Sequence, residues 1–173
     1  MLRPAWSATG LLGAAVVLAA PARAQVPPED EPHVRPGSPA PAFALPDREG
    51  RRWRLWQARG EGVVVLVFVR EPDLSQDLTA RLREWDRQAR SEGGRLIVII
   101  QTRRKSETPP PAAGLPSMVL LDRDGTLFQW YDADTGPPRA WVLDRRLVVR
   151  AGVVLAGDGG GRAAGWPGEK VSE

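Results

Sequence analysis

The sequence contains no cysteine in its 173 residues and only one histidine, His33. Without cysteine the protein forms no disulfide bond, and it has no thiolate that could act as a nucleophile or as a metal ligand. The folded protein must therefore be stabilised by its hydrophobic core alone. We expect no metal site and no cofactor.

Long blocks of basic residues are also missing, although the formal net charge of the full chain is +3. The longest basic run is residues 103–105, and the other runs, such as residues 51–52, are pairs. A nucleic-acid-binding surface needs a basic stripe, which these short runs do not supply. We therefore expect no nucleic acid among the partners.

Residues 1–24 have the layout of a secretory signal peptide, with Arg3 before a short apolar run over residues 11–20 and a small-x-small site at residues 22–24. The run is shorter than the about 20 residues that a membrane-spanning helix needs, and Pro21 interrupts it. We expect cleavage after this site and export to the periplasm or the extracellular medium, with no membrane span in the mature protein. An uncleaved membrane anchor is the alternative.

The composition divides the rest of the chain into three parts. Residues 25–37 are rich in proline and polar side chains, which predicts an extended linker. Residues 157–173 are rich in glycine, which predicts a disordered tail. The folded unit is then expected over residues 38–156.

Two continuous apolar runs, residues 63–69 and 96–100, are typical of parallel strands that are buried on both faces. Between them, apolar residues recur at helical spacing: Leu74, Leu78, Leu82, Trp85 and Ala89. Asp73 or Ser75 can cap the start of this helix, and Gly93-Gly94 can end it. The pattern predicts a right-handed βαβ unit.

The second half of the folded unit indicates a short strand over residues 117–121, a turn over 122–125 and a helical turn over 126–131. Apolar runs at 140–143 and 147–150 then flank a polar turn, which predicts an antiparallel hairpin. A βαβ half followed by a β-hairpin half resembles the thioredoxin fold, an α/β fold in which helices flank a central mixed sheet.

Three motifs resemble the peroxiredoxin branch of that superfamily, the alkyl hydroperoxide reductase and thiol-specific antioxidant type. Residues 37–50 (GSPAPAFALPDREG) are similar to the family's G-x-x-A-P-x-F-x-L-x-D-x-x-G opening. Residues 73–82 are similar to its D-W-C-P-x-C-x-x-x-L helix start, and residues 138–144 to its P-T-x-F-x-I-D segment. The resemblance covers residues 37–156.

This chain departs from the family at both cysteine positions, which are occupied by Ser75 and Leu78. A serine hydroxyl has no redox couple, and the only histidine that could activate it, His33, lies in the predicted linker. We expect Ser75 to be a helix N-cap and Leu78 to join the apolar stripe. The loss of cysteine favours a redox-inactive protein that acts by binding, whereas the family resemblance alone implies an antioxidant peroxidase.

The resemblance also implies where a partner binds, because thioredoxin-like domains engage substrates at the start of this helix, opposite a cis-proline. The corresponding groove residues are Asp73, Ser75, Gln76, Pro138 and Arg139. We expect a cis bond before Pro138 and a site for a peptide backbone or an anion. The partner would be an exported protein or peptide, and nothing in the sequence indicates its identity or an oligomeric state.

Residues 120–127 (LLDRDGTL) also resemble the D-x-D-G-T signature of haloacid-dehalogenase-type phosphatases. In that family the residue matching Asp122 is the nucleophile, the residue matching Asp124 is the acid/base, and magnesium lies between them. The remaining chain is too short for that core, and its only lysine, Lys170, lies in the tail. A turn stabilised by aspartate, with Gly125 at positive φ, is the simpler interpretation.

Residues 51–56 (RRWRLW) contain two tryptophans, Trp53 and Trp56, that are expected to be partly exposed. Tryptophan and arginine are enriched at binding hot spots, so this segment is a candidate contact surface. Packing of the two rings onto the edge of the sheet is the alternative.

Overall fold

Five strands form the central sheet in a computed structural model that describes residues 34–102, 114–116, 118–155 and 166–167. The elements in chain order are β1 (Ala44–Pro46), β2 (Arg52–Arg54), β3 (Val64–Arg70), α1 (Gln76–Ser91), β4 (Arg95–Gln101), β5 (Val119–Asp122), α2 (Thr126–Trp130), β6 (Arg139–Leu143) and β7 (Val149–Val154). No helix in these ranges is long and apolar enough to cross a membrane.

The strand order of the central sheet is β5-β4-β3-β6-β7. Strands β3, β4 and β5 are parallel, and β6 and β7 join as an antiparallel hairpin beside β3. A separate β1–β2 hairpin lies against the outer edge of β5, where Asp47 pairs with Leu120. The mixed α/β sheet predicted from the sequence is therefore confirmed.

The central strand β3 is buried on both faces, as its continuous apolar run predicts. Val65, Val67 and Val69 pack towards α1, whereas Leu66 and Phe68 pack towards the opposite face. Period-two alternation thus divides one apolar strand between two hydrophobic clusters. The observed strand begins one residue later than predicted and ends at a polar residue.

Helix α1 begins at the N-cap Ser75, whose Oγ accepts a hydrogen bond from the Leu78 N–H at 3.1 Å. Asp73, the alternative cap, is instead bonded to Arg70. The predicted apolar stripe is buried from Leu78 to Ala89, and the helix ends at Ser91, just before Gly93-Gly94, where the Gly94 N–H donates to the Ala89 carbonyl at 2.8 Å. Only glycine fits at residue 94, because a Cβ atom there would lie 2.1 Å from the Val63 carbonyl oxygen.

The hairpin differs from the prediction at its second strand, which begins at Val149 rather than at residue 147. The Asp144 N–H donates to the Val148 carbonyl at 3.0 Å, and Leu147 has a φ of 64°. A residue in the left-handed region cannot continue a strand, so residue 147 belongs to the turn. The predicted strand at 117–121 is observed as β5, with residue 117 outside the described part, and the helical turn at 126–131 is confirmed as α2.

An aromatic cluster fills the face of the sheet opposite α1. Tyr131 stacks on Phe68 with ring centroids 4.8 Å apart, and Phe128 packs edge-on against the same ring. The Trp141 Nε1–H donates to the Tyr131 carbonyl at 2.9 Å. This cluster holds α2 against β3 and β6.

Two described positions depart from the expected linker and tail. Val34, within the predicted linker, is buried, and its N–H donates to the Trp130 carbonyl at 3.3 Å. Trp166, within the predicted disordered tail, is also buried: its ring packs against Trp85, and its Nε1–H donates to Glu92 Oε2 at 3.1 Å. At Trp166 a large apolar ring contacts α1, which the glycine-rich composition of the tail does not indicate. The predicted leader, residues 1–24, lies outside the described residues.

Removing the Trp166 ring tests whether this contact stabilises the domain. We expect Trp166→Ala to lower the free energy of unfolding by about 2–3 kcal/mol, somewhat less than the loss of an aromatic ring from a domain centre. Trp56→Ala is the matched control, because Trp56 is 61% exposed and its loss should cost less than about 0.5 kcal/mol. Urea unfolding measures the free energy of unfolding of both variants. Equal losses would show that the Trp166 contact does not stabilise the domain.

Candidate functional site

The C-terminal end of β3, the start of α1 and the loop before β6 meet at one end of the sheet. Arg70, the last residue of β3, joins all three: its Nε donates to Asp73 Oδ2 at 2.7 Å, and its Nη2 donates to the Gly136 carbonyl at 2.7 Å. We call residues 70–76 and 136–139 the α1 corner. No sequence motif identifies Arg70, although a charged residue directly after a buried strand is a usable signal.

Ser75 lies at the position that the resemblance assigns to the reactive cysteine. Its side chain is exposed, and its Oγ is occupied by the Leu78 N–H. The Ser75 carbonyl accepts hydrogen bonds from both the N–H and the Oγ1–H of Thr79. Leu78, at the second cysteine position, is buried in the α1 stripe. Both side chains therefore have the structural roles expected from the sequence.

The bond before Pro138 is trans, so the expectation of a cis-proline is wrong. The Pro138 carbonyl accepts a hydrogen bond from the Leu155 N–H at 2.7 Å, which extends the β6–β7 ladder by one pair. This pairing is made by the carbonyl and does not need the cis isomer. The trans form of an X–Pro bond is favoured by about 0.5–1 kcal/mol when the surroundings do not select otherwise.

Arg139, the cationic member of the predicted groove, is paired within the protein. Its Nη1 lies 2.5 Å from Asp132 Oδ2, and its side chain is 28% exposed. Together with the Arg70–Asp73 pair, this contact neutralises both arginines of the α1 corner. The corner therefore offers little net positive charge to an anion.

The structure divides the five predicted groove residues between two places. Ser75 and Gln76 line a cleft of about 620 Å³ between α1 and residues 114–115, whereas Asp73 lies outside it and pairs with Arg70. Pro138 and Arg139 do not line this cleft; they continue β6 beside Arg70. One wall of the cleft is fixed by Arg83, whose Nε donates to the Gly114 carbonyl at 2.5 Å.

The rival phosphatase motif forms a closed turn between β5 and α2. Asp122 is fully buried, and its two carboxylate oxygens accept hydrogen bonds from the N–H groups of Gly125 and Phe128 at 3.2 and 3.1 Å. Asp124 Oδ1 accepts from the Thr126 N–H at 3.0 Å. A nucleophile must reach its substrate, and the buried Asp122 carboxylate does not. Within the described ranges no group of three metal-ligating side chains occurs.

Burial and a hydrogen bond with the Asp124 carboxyl raise the pKa of Asp122 from 3.8 to about 6. The N–H groups of Phe128 and Gly125 oppose this shift without cancelling it. The Thr126 N–H and the hydrogen bond with Asp122 lower the pKa of Asp124. The two carboxyl groups therefore titrate in separate pH ranges.

This shift predicts how stability depends on pH. Between about pH 4 and pH 6, folded Asp122 keeps a proton that the unfolded chain has lost, so the free energy of unfolding should fall as pH rises through this window and then level off. Asp124→Asn removes the charge that helps to raise the pKa, while its amide oxygen can still accept from the Thr126 N–H. Urea unfolding across the window should show a smaller fall for this variant.

The control for the pH experiment is Asp134→Asn, because Asp134 is an exposed carboxylate in the loop after α2. This variant should keep the pH profile of the unmodified protein. An Asp124→Asn profile identical to that of the unmodified protein would contradict the coupling of Asp122 to Asp124.

Comparison with known proteins gives structural relatives but no sequence family. No protein-family model and no curated protein matches the sequence. An uncharacterised conserved protein from Geobacillus kaustophilus is similar in structure, with a TM-score of 0.61 and 20% identity over 79% of this chain and 78% of that one. The thioredoxin domain of a thiol-disulfide oxidoreductase from Bacteroides vulgatus has a TM-score of 0.52 and 16% identity, over 69% and 88% of the two chains.

The exposed lipoprotein thioredoxin Etrx1 from Streptococcus pneumoniae is similar at a TM-score of 0.51 and 20% identity, over 66% of this chain and 89% of that one. At such identities the likeness establishes the fold and does not carry over an activity. The chain thus has a thioredoxin-like α/β fold, built without cysteine.

Proposed function

We propose that this protein is a redox-inactive thioredoxin-fold protein that binds an extended polypeptide at the α1 corner. The observation that carries the proposal is the state of Ser75. It occupies the position of the reactive thiol in a chain without cysteine, and its hydroxyl is occupied as the N-cap of α1. The corner keeps the capped start of α1 and has no group for thiol exchange.

The charge pairs of the corner favour a peptide over an anion. Arg70 is paired with Asp73 and Arg139 with Asp132, so neither guanidinium carries an unbalanced charge. The first N–H groups of α1, on Gln76 and Asp77, have no acceptor within the helix. Backbone carbonyl groups of an extended polypeptide supply such acceptors without the desolvation cost of a full charge.

The more specific relation that we propose is to the peroxiredoxin branch. Its support is the opening motif at residues 37–50, whose aspartate and glycine form the turn between β1 and β2. Asp47 Oδ1 accepts from the N–H groups of Glu49 and Arg51, and Gly50 has a φ of 82°. An antioxidant peroxidase is the competing function, but it needs a thiolate that this chain lacks. Peroxide consumption above a buffer blank, with a thiol reductant present, would favour that function.

We also propose that the protein acts outside the cytoplasm, on the support of the leader at residues 1–24. Expressed from its full sequence, the protein should be recovered from the periplasm or the medium with Gln25 as its first residue. Intact-mass measurement of the recovered protein tests this. A full-length chain that stays with the membrane fraction would instead support the uncleaved anchor.

The binding proposal predicts that filling the corner weakens polypeptide binding. The probe is a reduced and alkylated protein that stays unfolded, labelled for fluorescence anisotropy. Gln76→Trp puts a bulky ring beside the first turn of α1 and leaves the Ser75 cap intact, so we expect it to weaken binding by about tenfold, the effect of losing a few hydrogen bonds.

Gln129→Trp is the matched control, because Gln129 is an exposed glutamine on α2, outside the corner. It should bind the probe like the unmodified protein. Equal affinities of the Gln76 and Gln129 variants would show that the α1 corner is not the binding surface. Retained circular dichroism would confirm that both variants are folded.

A further inference from the structure

The end of the sheet opposite the α1 corner carries a second, differently charged surface. Trp56 and Arg59 precede the first residue of β3, and Arg145 and Arg146 form the turn between β6 and β7. We call these four residues the basic patch. Because β3 has seven residues, the patch lies roughly 20 Å from the corner.

Backbone hydrogen bonds bring the members of the patch together from two parts of the chain. The Arg59 N–H donates to the Trp56 carbonyl at 3.0 Å, which ends a short 3₁₀ helix at Leu55–Ala58. The next residue, Gly60, donates its N–H to the Arg145 carbonyl at 2.9 Å. The 3₁₀ helix and the hairpin turn are therefore in direct contact.

The acidic side chains at this end of the sheet already have partners. Glu61 receives two hydrogen bonds from Arg95, at 2.8 and 2.6 Å, and Asp144 receives two from Arg150, at 3.0 and 2.6 Å. The three exposed arginines of the patch form no salt bridge with the described residues. Three positive charges are thus left for an external partner.

The turn that displays two of these arginines is held by hydrogen bonds to the Asp144 side chain. Asp144 Oδ1 accepts from the N–H groups of Arg146 and Val148, at 2.8 and 3.0 Å. Leu147 has a φ of 64°, a conformation that glycine or asparagine adopts more readily than leucine. Backbone strain that the surroundings hold in place is a recurrent feature of binding sites. A rigid turn also lowers the entropy cost of binding.

Trp56 supplies an apolar anchor beside these charges. It is 61% exposed, although its neighbours Leu55 and Ala58 are buried in the core and fix the 3₁₀ helix in place. Of the large apolar side chains in the described ranges only Trp56 and Val154 are exposed, and Val154 lies at the other end of the sheet, paired with Arg139. The exposed ring therefore belongs to the 3₁₀ helix that ends next to Arg59.

We infer that the basic patch binds an acidic polypeptide segment, which makes it a second interaction surface distinct from the α1 corner. Guanidinium groups bind carboxylates with two parallel hydrogen bonds, and tryptophan and arginine are the residues enriched at protein hot spots. A membrane surface is the weaker alternative, because stable interfacial binding needs a larger apolar face than one ring.

The test uses the mature chain and a fluorescein-labelled peptide of alternating glutamate and glycine, measured by anisotropy at low salt and at about 150 mM salt. Arg59→Glu combined with Arg145→Glu should weaken binding at least about tenfold, and Trp56→Ala about fivefold, as expected for hot-spot residues. The control is Arg81→Glu combined with Arg123→Glu. It changes the net charge by the same amount as the patch variant, but at α1 and after β5. At about 150 mM salt it should stay within about twofold of the unmodified chain, since surface charges beyond a Debye length of about 8 Å are screened.

Three results would overturn the inference. The first is that the unmodified chain does not bind the peptide at low salt. The second is that the control double variant loses as much affinity as the patch variant, which would indicate a net-charge effect. The third is that the chain does not bind the peptide but binds vesicles of anionic phospholipid, and that this vesicle binding depends on Trp56. The Gln76→Trp variant should bind the acidic peptide normally, which separates this test from that of the α1 corner.

Discussion

The burial of β3 on both faces is the constraint on which the rest of the molecule depends. Every residue from Val64 to Val69 is buried, so the chain has to supply apolar cover on two sides of one strand. Helix α1 covers one side, and the aromatic cluster around Tyr131 covers the other. Because β3 cannot shift by one residue without exchanging its two faces, its register fixes where its ends lie, and with them both surfaces described above.

Arg70, at the C-terminal end of the same strand, lies in the α1 corner. One guanidinium reaches the start of α1 through Asp73 and the hairpin half through Gly136, so an ionic and hydrogen-bonded link joins the two halves of the fold at this point. Ser75 stabilises the corner as the N-cap of α1. The loss of such a cap lowers the stability of a helix by about 1 kcal/mol. These polar contacts therefore shape the corner, and none of them needs a cysteine side chain.

The sequence predicts the central strands and the helix better than it predicts single backbone conformations and long-range contacts. Apolar periodicity located β3, α1 and β4 within about a residue, because burial on two faces or on one stripe leaves a direct pattern. The start of β7 was predicted wrongly because Leu147 adopts the left-handed conformation of a turn residue. The isomer of Pro138 was predicted wrongly because its backbone contact does not select the cis form. Trp166 shows the same limit: a glycine-rich composition predicts disorder and does not reveal that one ring packs on α1.

The candidate site was predictable in its residues but less so in its arrangement. The serine cap followed from local chemistry, whereas the pairing of Arg139 with Asp132 is a tertiary contact between a loop and a strand end. Composition suggested a contact surface at residues 51–56, of which the proposed basic patch contains only Trp56. The turn arginines of the patch come from a part of the chain almost ninety residues later, which no local pattern connects to Trp56.

The conformation of Leu147 has a consequence for how this hairpin can evolve. A leucine in the left-handed region costs about 1–2 kcal/mol of backbone energy, yet its side chain packs against the aromatic face of the core. Glycine there would relieve the backbone and lose a packing contact of about the same size. The two effects oppose each other, so Leu147→Gly should change stability by less than either effect alone. The turn's shape is thus kept mainly by Asp144 and its hydrogen bonds.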